Sequence, residues 1–147
     1  MSKNNSGLRG VSMDITIPQK VTSRQSEIVT KSHSAQEVGS GRVDVFATPM
    51  MIALMEAAAL EAVQSYLPEG WTTVGTRVEC DHLRATAIGD QVSASAALIK
   101  QEGRSLYFRV EAKDSQGLIG KGHHQRFIIN IEKFMNKLKE PQDLSRV

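Results

Sequence analysis

Thr48, Glu56 and His82 can each accept, donate or relay a proton, and the first two lie in the most strongly periodic stretch of the chain, FATPMMIALMEAAALEAVQSYL from Phe46 to Leu67. At about 100° per residue on a helix, Ile52, Ala59, Leu60 and Val63 fall within roughly 60° of Glu56, and Glu61 and Ser65 lie about 140° and 180° away. Glu56 is thus expected on an apolar, buried face. An ionised carboxylate there costs several kcal/mol unless it is paired, hydrogen-bonded or neutralised. Two roles fit it: a working residue of an active site, since such carboxylates cluster at functional sites, or one half of a salt bridge at a subunit or sheet edge. His82, with an unperturbed pKa of about 6.5, suits proton transfer or hydrogen bonding to an electrophile, or a structural place at a strand end. Gly75 either lets a backbone amide approach an oxyanion or marks a bulge. Arg126 either holds a carboxylate or phosphate through its planar fork or makes a surface ion pair. At about 1.5 Å of rise per residue, Thr48 and Glu56 stand roughly 12 Å apart along one helix. A site using both needs a bridge, such as His82 or a water, or a second subunit.

The elements that must position these groups follow from the pattern around them. Thr48-Pro49 reads as an N-cap and first helical residue, and Pro68 and Gly70 end the helix. Before it, Met13 to Thr30 reads as one strand interrupted by Pro18. Residues 31–42 lack periodicity and hold Gly39 and Gly41, which predicts a mobile, lid-like loop leading to a short strand at Val43 to Phe46. After the helix, Thr72 to Leu83 alternates, which places Val74, Thr76, Val78, Cys80 and His82 on one face. Turns at Gly89-Asp90, Glu102-Gly103 and Ser115 to Gly117 separate the strands Gln91 to Lys100, Ser105 to Lys113 and Leu118 to Ile131. The charged end from Glu132 reads as a short surface helix or tail. This is an α+β layout in which an antiparallel sheet wraps one face of one long helix. Its open edges are best protected by pairing with a second copy, which predicts a dimer.

At 147 residues the chain is long enough for one core. The expected organisation is an N-terminal tail over 1–12, one domain over 13–138 and a C-terminal tail over 139–147. A formal charge of +2, with basic residues scattered along the chain, argues against a nucleic-acid partner. The single cysteine, Cys80, excludes an intrachain disulfide framework and suits a reducing compartment. No apolar run reaches the roughly 18 residues of a membrane span and the start lacks an apolar signal core, so a cytoplasmic protein with no membrane partner is expected. His123, His124 and Cys80 do not complete a recognised metal-ligand spacing, and no metal is expected. Phosphate-loop, dinucleotide-binding and serine-elbow motifs are missing from the sequence.

Taken together, FATPMMIALMEAAALEAVQSYL, TVGTRVECDHLRATAIGD and GLIGKGHHQRFIINIEKFMNK resemble the hot-dog-fold acyl-CoA thioesterases, most closely the fluoroacetyl-CoA thioesterase type, over about residues 43–138. The resemblance implies an antiparallel sheet wrapped around one long central helix and a site at a homodimer interface, within a dimer or a higher oligomer. It implies Thr48, Glu56 and His82 as catalytic residues, Gly75 and Arg126 as substrate contacts, and coenzyme A as part of the substrate with no separate cofactor. Glu56 would act as general base or nucleophile. Val38-Gly39-Ser40-Gly41-Arg42 carries no aromatic residue where the fluoroacetate-specific pattern has a phenylalanine lid, so the expected substrate is a general short or medium acyl thioester. An acyl-CoA hydratase or dehydratase on the same fold, or a non-catalytic acyl-CoA binding module, are the alternatives.

Overall fold

The computed structural model describes residues 14–141; the expected tail over 1–12 and most of the one from 139 lie outside them. In chain order the elements are β1 (Thr22–Ile28), a 3-10 turn (Lys31–His33), α1 (Ala35–Val38), α2 (Thr48–Gln64), β2 (Trp71–His82), β3 (Gln91–Glu102), β4 (Ser105–Asp114), β5 (Gly117–Asn130) and α3 (Ile131–Leu138). The strands form one antiparallel sheet in the order β1-β3-β4-β5-β2, with β1 and β2 at its edges. The β3–β4 and β4–β5 turns carry Gly103 at φ 61° and Gly117 at φ 127°, a backbone sense that side chains rarely adopt.

α2 lies on one face of the sheet and packs mainly over β1 and β3. Small residues allow this close approach: Ala58, Ala59 and Ala62 on the helix face strands whose buried positions include Ala94 and Ala96. Phe46, Met51, Met55, Leu106, Phe108 and Ile128 fill the core around them. The buried helix face is therefore Met51, Leu54, Met55, Ala58, Ala59, Ala62 and Val63, about a third of a turn away from the stripe on which Glu56 stands. Ile52, Leu60 and Glu56 are half-buried. The expectation of a buried Glu56 is corrected on that point: one sheet covers only one side of a helix, and the Glu56 stripe looks towards the less covered β2 side.

Four other expectations are revised. The first strand is limited to Thr22–Ile28; Ile15 and Ile17 before it are held by Gln101, whose Oε1 accepts from Ile17 N and whose Nε2 donates to Ile15 O. Residues 31–38 are helical turns in place of a loop. Ser34 caps α1 by accepting from Glu37 N, and backbone bonds from Ala35 N to Val45 O and Ala47 N to His33 O tie the segment down. The strand expected at Val43 to Phe46 is reduced to two isolated bridges, Ser34 with Phe46 and Val45 with Ala87. The N-cap of α2 is Ala47, in extended conformation and without a side-chain cap bond; Thr48 is already helical, and its hydroxyl bonds to His82 instead of capping the helix.

The segment after β2 is pinned by a polar cluster. Asp114, its side chain only 2% exposed, accepts from Arg84 at 2.7 and 3.3 Å, from the Thr86 hydroxyl at 2.8 Å and from Gln116 N at 2.8 Å. Burial pushes its carboxyl up, but these hydrogen bonds and the Arg84 charge outweigh burial and hold it below the ordinary 3.8. A depressed carboxyl contributes stability in full above its unfolded pKa and loses it as the pH falls through the folded one. Asp114→Asn is expected to cost about 1–3 kcal/mol at neutral pH, towards the lower end because the Arg84 side chain is 38% exposed and screened. Thermal melts of parent and variant should differ most near neutrality and converge in acid below 3.8; a gap unchanged in acid would contradict this role.

Candidate active site

Two clusters form on α2 and the strands beside it. At the start of α2, Thr48 Oγ1 and His82 Nδ1, the latter from the end of β2, share a hydrogen bond of 2.7 Å. The other ring nitrogen, His82 Nε2, is buried and finds no hydrogen-bond partner among the described residues. Burial lowers the His82 pKa below its ordinary value, offset in part by the backbone of Arg84, which favours the neutral ring.

Two helical turns on, the carboxylate of Glu56 meets β2 and β5. Glu56 Oε2 lies 3.7 Å from Arg126 Nη1, an ion-pair contact outside hydrogen-bond range. Arg126 is 7% exposed, against 41% for the Glu56 side chain. The guanidinium is anchored from behind: Nε donates to the Thr73 hydroxyl at 2.7 Å, Nη2 to the Thr73 carbonyl at 2.9 Å, and Nη1 to His124 Nε2 at 3.2 Å. Burial lowers the Arg126 pKa and the Glu56 charge raises it; a guanidinium stays protonated in either case. The fork expected of Arg126 is thus spent largely on Thr73, and the residue is neither a surface ion pair nor an open phosphate clamp.

Gly75 completes this cluster. It pairs with Arg126 across the sheet, and the register shifts between Gly75 and Arg77, so Thr76 is the extra residue of a β-bulge. The helix-facing phase of β2 therefore runs from the buried Thr73 through the exposed Gly75 before the bulge to the half-buried Val78, Cys80 and His82 after it, the last three opposite His124, Gly122 and Gly120 of β5. Val74 and Thr76 do not share a face with His82, as unbroken alternation had predicted. A Cβ on Gly75 would sit 2.7 Å from Glu56 Oε2, 3.3 Å from His124 Cε1 and 3.4 Å from Arg126 Nη1. Bulge and close approach thus occur at neighbouring residues, Thr76 and Gly75.

Within one chain, then, the structure brings Thr48 to His82 and Glu56 to Arg126 and Gly75, and does not bring the two groups together. His82 does not bridge them. Thr73 and His124 were not singled out for this site from sequence, although alternation puts His124 and Arg126 on one strand face. His123 and His124 look to opposite sides of the sheet, one exposed and one buried, and among the described residues no three of His, Cys, Asp and Glu converge as metal ligands. Two surface depressions are lined by exposed residues such as Ile99 and Phe127, or Arg109 and His123, and neither takes in Thr48, Glu56 or His82.

A profile for the fluoroacetyl-CoA-specific thioesterase family matches residues 29–132. The fluoroacetyl-CoA thioesterase of Streptantibioticus cattleyicolor is 41% identical over 97 residues, which span 66% of this chain and 70% of that protein. Among solved structures, a fluoroacetyl-CoA thioesterase FlK superposes with a TM-score of 0.80 at 30% identity, over 87% of this chain and 99% of the other. A thioesterase-superfamily member from Thermus thermophilus superposes at 0.78 with 31% identity, over 84% and 92%. With α2 packed on one face of a five-stranded antiparallel sheet, this chain belongs to the fluoroacetyl-CoA-specific thioesterase family and is a thioester hydrolase of the hot-dog fold.

Proposed function

We propose that the protein hydrolyses a short or medium acyl-CoA to the free acid and coenzyme A, at sites completed by two copies of the chain. The observation that carries this reading is the meeting of Glu56, Gly75 and Arg126: a carboxylate, a glycine backbone and a buried guanidinium within a few ångströms of one another. Among the described residues none makes a hydrogen bond that would occupy the Glu56 oxygens, so Glu56 can take a proton from an attacking water or attack the carbonyl itself. As the C–O bond forms, negative charge grows on the thioester oxygen, where the Gly75 amide and the free N–H of Arg126 Nη1 would receive it. The C–S bond then breaks, and the proton released by the attacking water is passed through the Thr48–His82 pair to the leaving thiolate; where Glu56 itself attacks, water then hydrolyses the acyl–Glu56 anhydride to release the acid and restore the carboxylate. Coenzyme A enters as part of the substrate, and the step needs no further cofactor.

Related structures support the substrate class. A mutant of FlK has been crystallised with fluoroacetate and coenzyme A, and another in complex with acetyl-CoA. In this chain the exposed segment Val38 to Arg42 has no aromatic side chain to close over a small fluorinated group, which favours a broader range of acyl groups. Assembly as a homodimer is supported by the free edge at β2, by the half-buried stripe of Ile52, Glu56 and Leu60, and by the separation of the two clusters within one chain. The free Cys80 suits a cytoplasmic setting, and among the described residues no helix is long and apolar enough to cross a membrane.

The test is free-thiol release from a panel of acyl-CoA substrates by parent and Glu56→Gln. The nearly isosteric variant should stay folded and lose about a hundredfold or more in turnover. Turnover within a few-fold of the parent would make Glu56 structural, and release of no thiol from any acyl-CoA by the parent would reject the thioesterase reading. Thr48→Ser should retain more activity than Thr48→Ala, because serine keeps the hydroxyl bonded to His82. An alanine variant as active as the parent would remove Thr48 from the mechanism.

A further inference from the structure

His124 is 1% exposed and has a defined partner at each ring nitrogen. Nδ1 lies 2.8 Å from the Arg77 carbonyl, and Nε2 lies 3.2 Å from Arg126 Nη1. A carbonyl only accepts and a guanidinium only donates. The ring must therefore carry its proton on Nδ1 and present a lone pair at Nε2. A ring protonated at both nitrogens would set one N–H against another at Arg126 and lose that bond.

We propose that His124 is a positioning residue that acts through Arg126. As the neutral Nδ1–H tautomer it is tethered to the Arg77 carbonyl at the bulge, accepts from Nη1, and so holds the remaining N–H of Nη1 towards the space shared by Glu56 and Gly75. The inference rests on the reading of Arg126 as a substrate contact. Thr73 fixes the Nε and Nη2 side of the guanidinium, and His124 fixes the third nitrogen; together they leave the plane one orientation. The tether explains why the device sits at a bulge, because the register shift between Gly75 and Arg77 accompanies both the Arg77 carbonyl at the ring and Gly75 beside Glu56. The charged groups facing the ring are few. Arg126 lies on its own strand and Glu56 comes from α2; β2 contributes the Arg77 carbonyl, and β4 contributes the uncharged ring of Phe108, 6.3 Å away. Burial, before any charge, lowers the His124 pKa; the Arg77 carbonyl and Glu56 raise it and Arg126 lowers it further. All of this is consistent with a neutral ring at physiological pH.

Two measurements test the inference. Nitrogen-15 NMR of the histidine rings in the intact protein should show His124 as the neutral Nδ1–H tautomer near neutral pH; an Nε2–H or doubly protonated ring would overturn it, with no variant needed. Kinetics then compare His124→Gln, His124→Phe and Arg126→Gln. Glutamine supplies one donor and one acceptor and is expected to keep most of the activity, whereas phenylalanine supplies neither and should lower kcat by about tenfold or more, with KM changed much less, as a misaimed contact does. His124→Phe turning over like the parent while Arg126→Gln is impaired would reject positioning by His124 and leave the role of Arg126 intact. Arg126→Gln turning over like the parent would reject the reading of Arg126, and the inference with it.

Discussion

A guanidinium buried beneath a half-open helix is the constraint around which this fold is arranged. Taking Arg126 out of water costs several kcal/mol unless its donors are met, and the chain meets them from three directions: Thr73 twice, His124 once and Glu56 as counter-ion. Each partner depends on a feature of the sheet. Thr73 faces inward because it precedes the bulge, His124 because it shares a strand face with Arg126, and the Glu56 carboxylate occupies space that Gly75, having no side chain, leaves open. An ion pair of this kind is weak evidence for stability; its position in front of a half-exposed carboxylate is what gives it chemical meaning.

The placement of α2 follows from packing and has the same consequence. Alanines on the helix and on β3 draw the two together on one side of the sheet, leaving the β2 and β5 side with room for polar groups. Glycines at 120 and 122 belong to this side. A Cβ on Gly120 would lie 2.8 Å from Met51 Cε, and one on Gly122 would run into the Glu79 carbonyl and Cys80 of the adjacent strand. Beyond the glycines, the same strand face carries His124 and Arg126, so β5 changes along its length from a surface for close packing into a polar wall.

The helix, the three turns and the antiparallel layout were legible in the sequence because each rests on local chemistry: a long apolar period, and glycines where the backbone needs positive φ. The details that aim the site were not, because they are decided by partners distant in sequence. Val74-Gly75-Thr76-Arg77-Val78 is compatible with plain alternation, and only the pairing with Arg126 and Gln125 reveals the extra residue. Thr48-Pro49 carries the chemistry of a cap, yet the hydroxyl is bonded to His82, 34 residues away in sequence, and Ala47 takes the cap position. The turns at 31–38 are too short to show a period and are held by bonds to residues 43–47. His124 drew notice only as half of a pair with His123, because adjacency suggests a metal while alternation separates the two rings.

What remains divided in one chain is the pair of clusters along α2, Thr48 with His82 at its start and Glu56 with Arg126 and Gly75 two turns on. The account holds that two chains bring them together. The most direct test is to co-express differently tagged Glu56→Gln and Thr48→Ala chains, isolate the mixed dimer and compare its thiol release with that of each variant homodimer. One of its two sites would then combine an intact Thr48 from one chain with an intact Glu56 from the other, so activity well above both homodimers and up to about half that of the parent is expected. A stable mixed dimer no more active than its homodimers would contradict the sharing of these residues, and a fully active monomer would contradict the assembly itself.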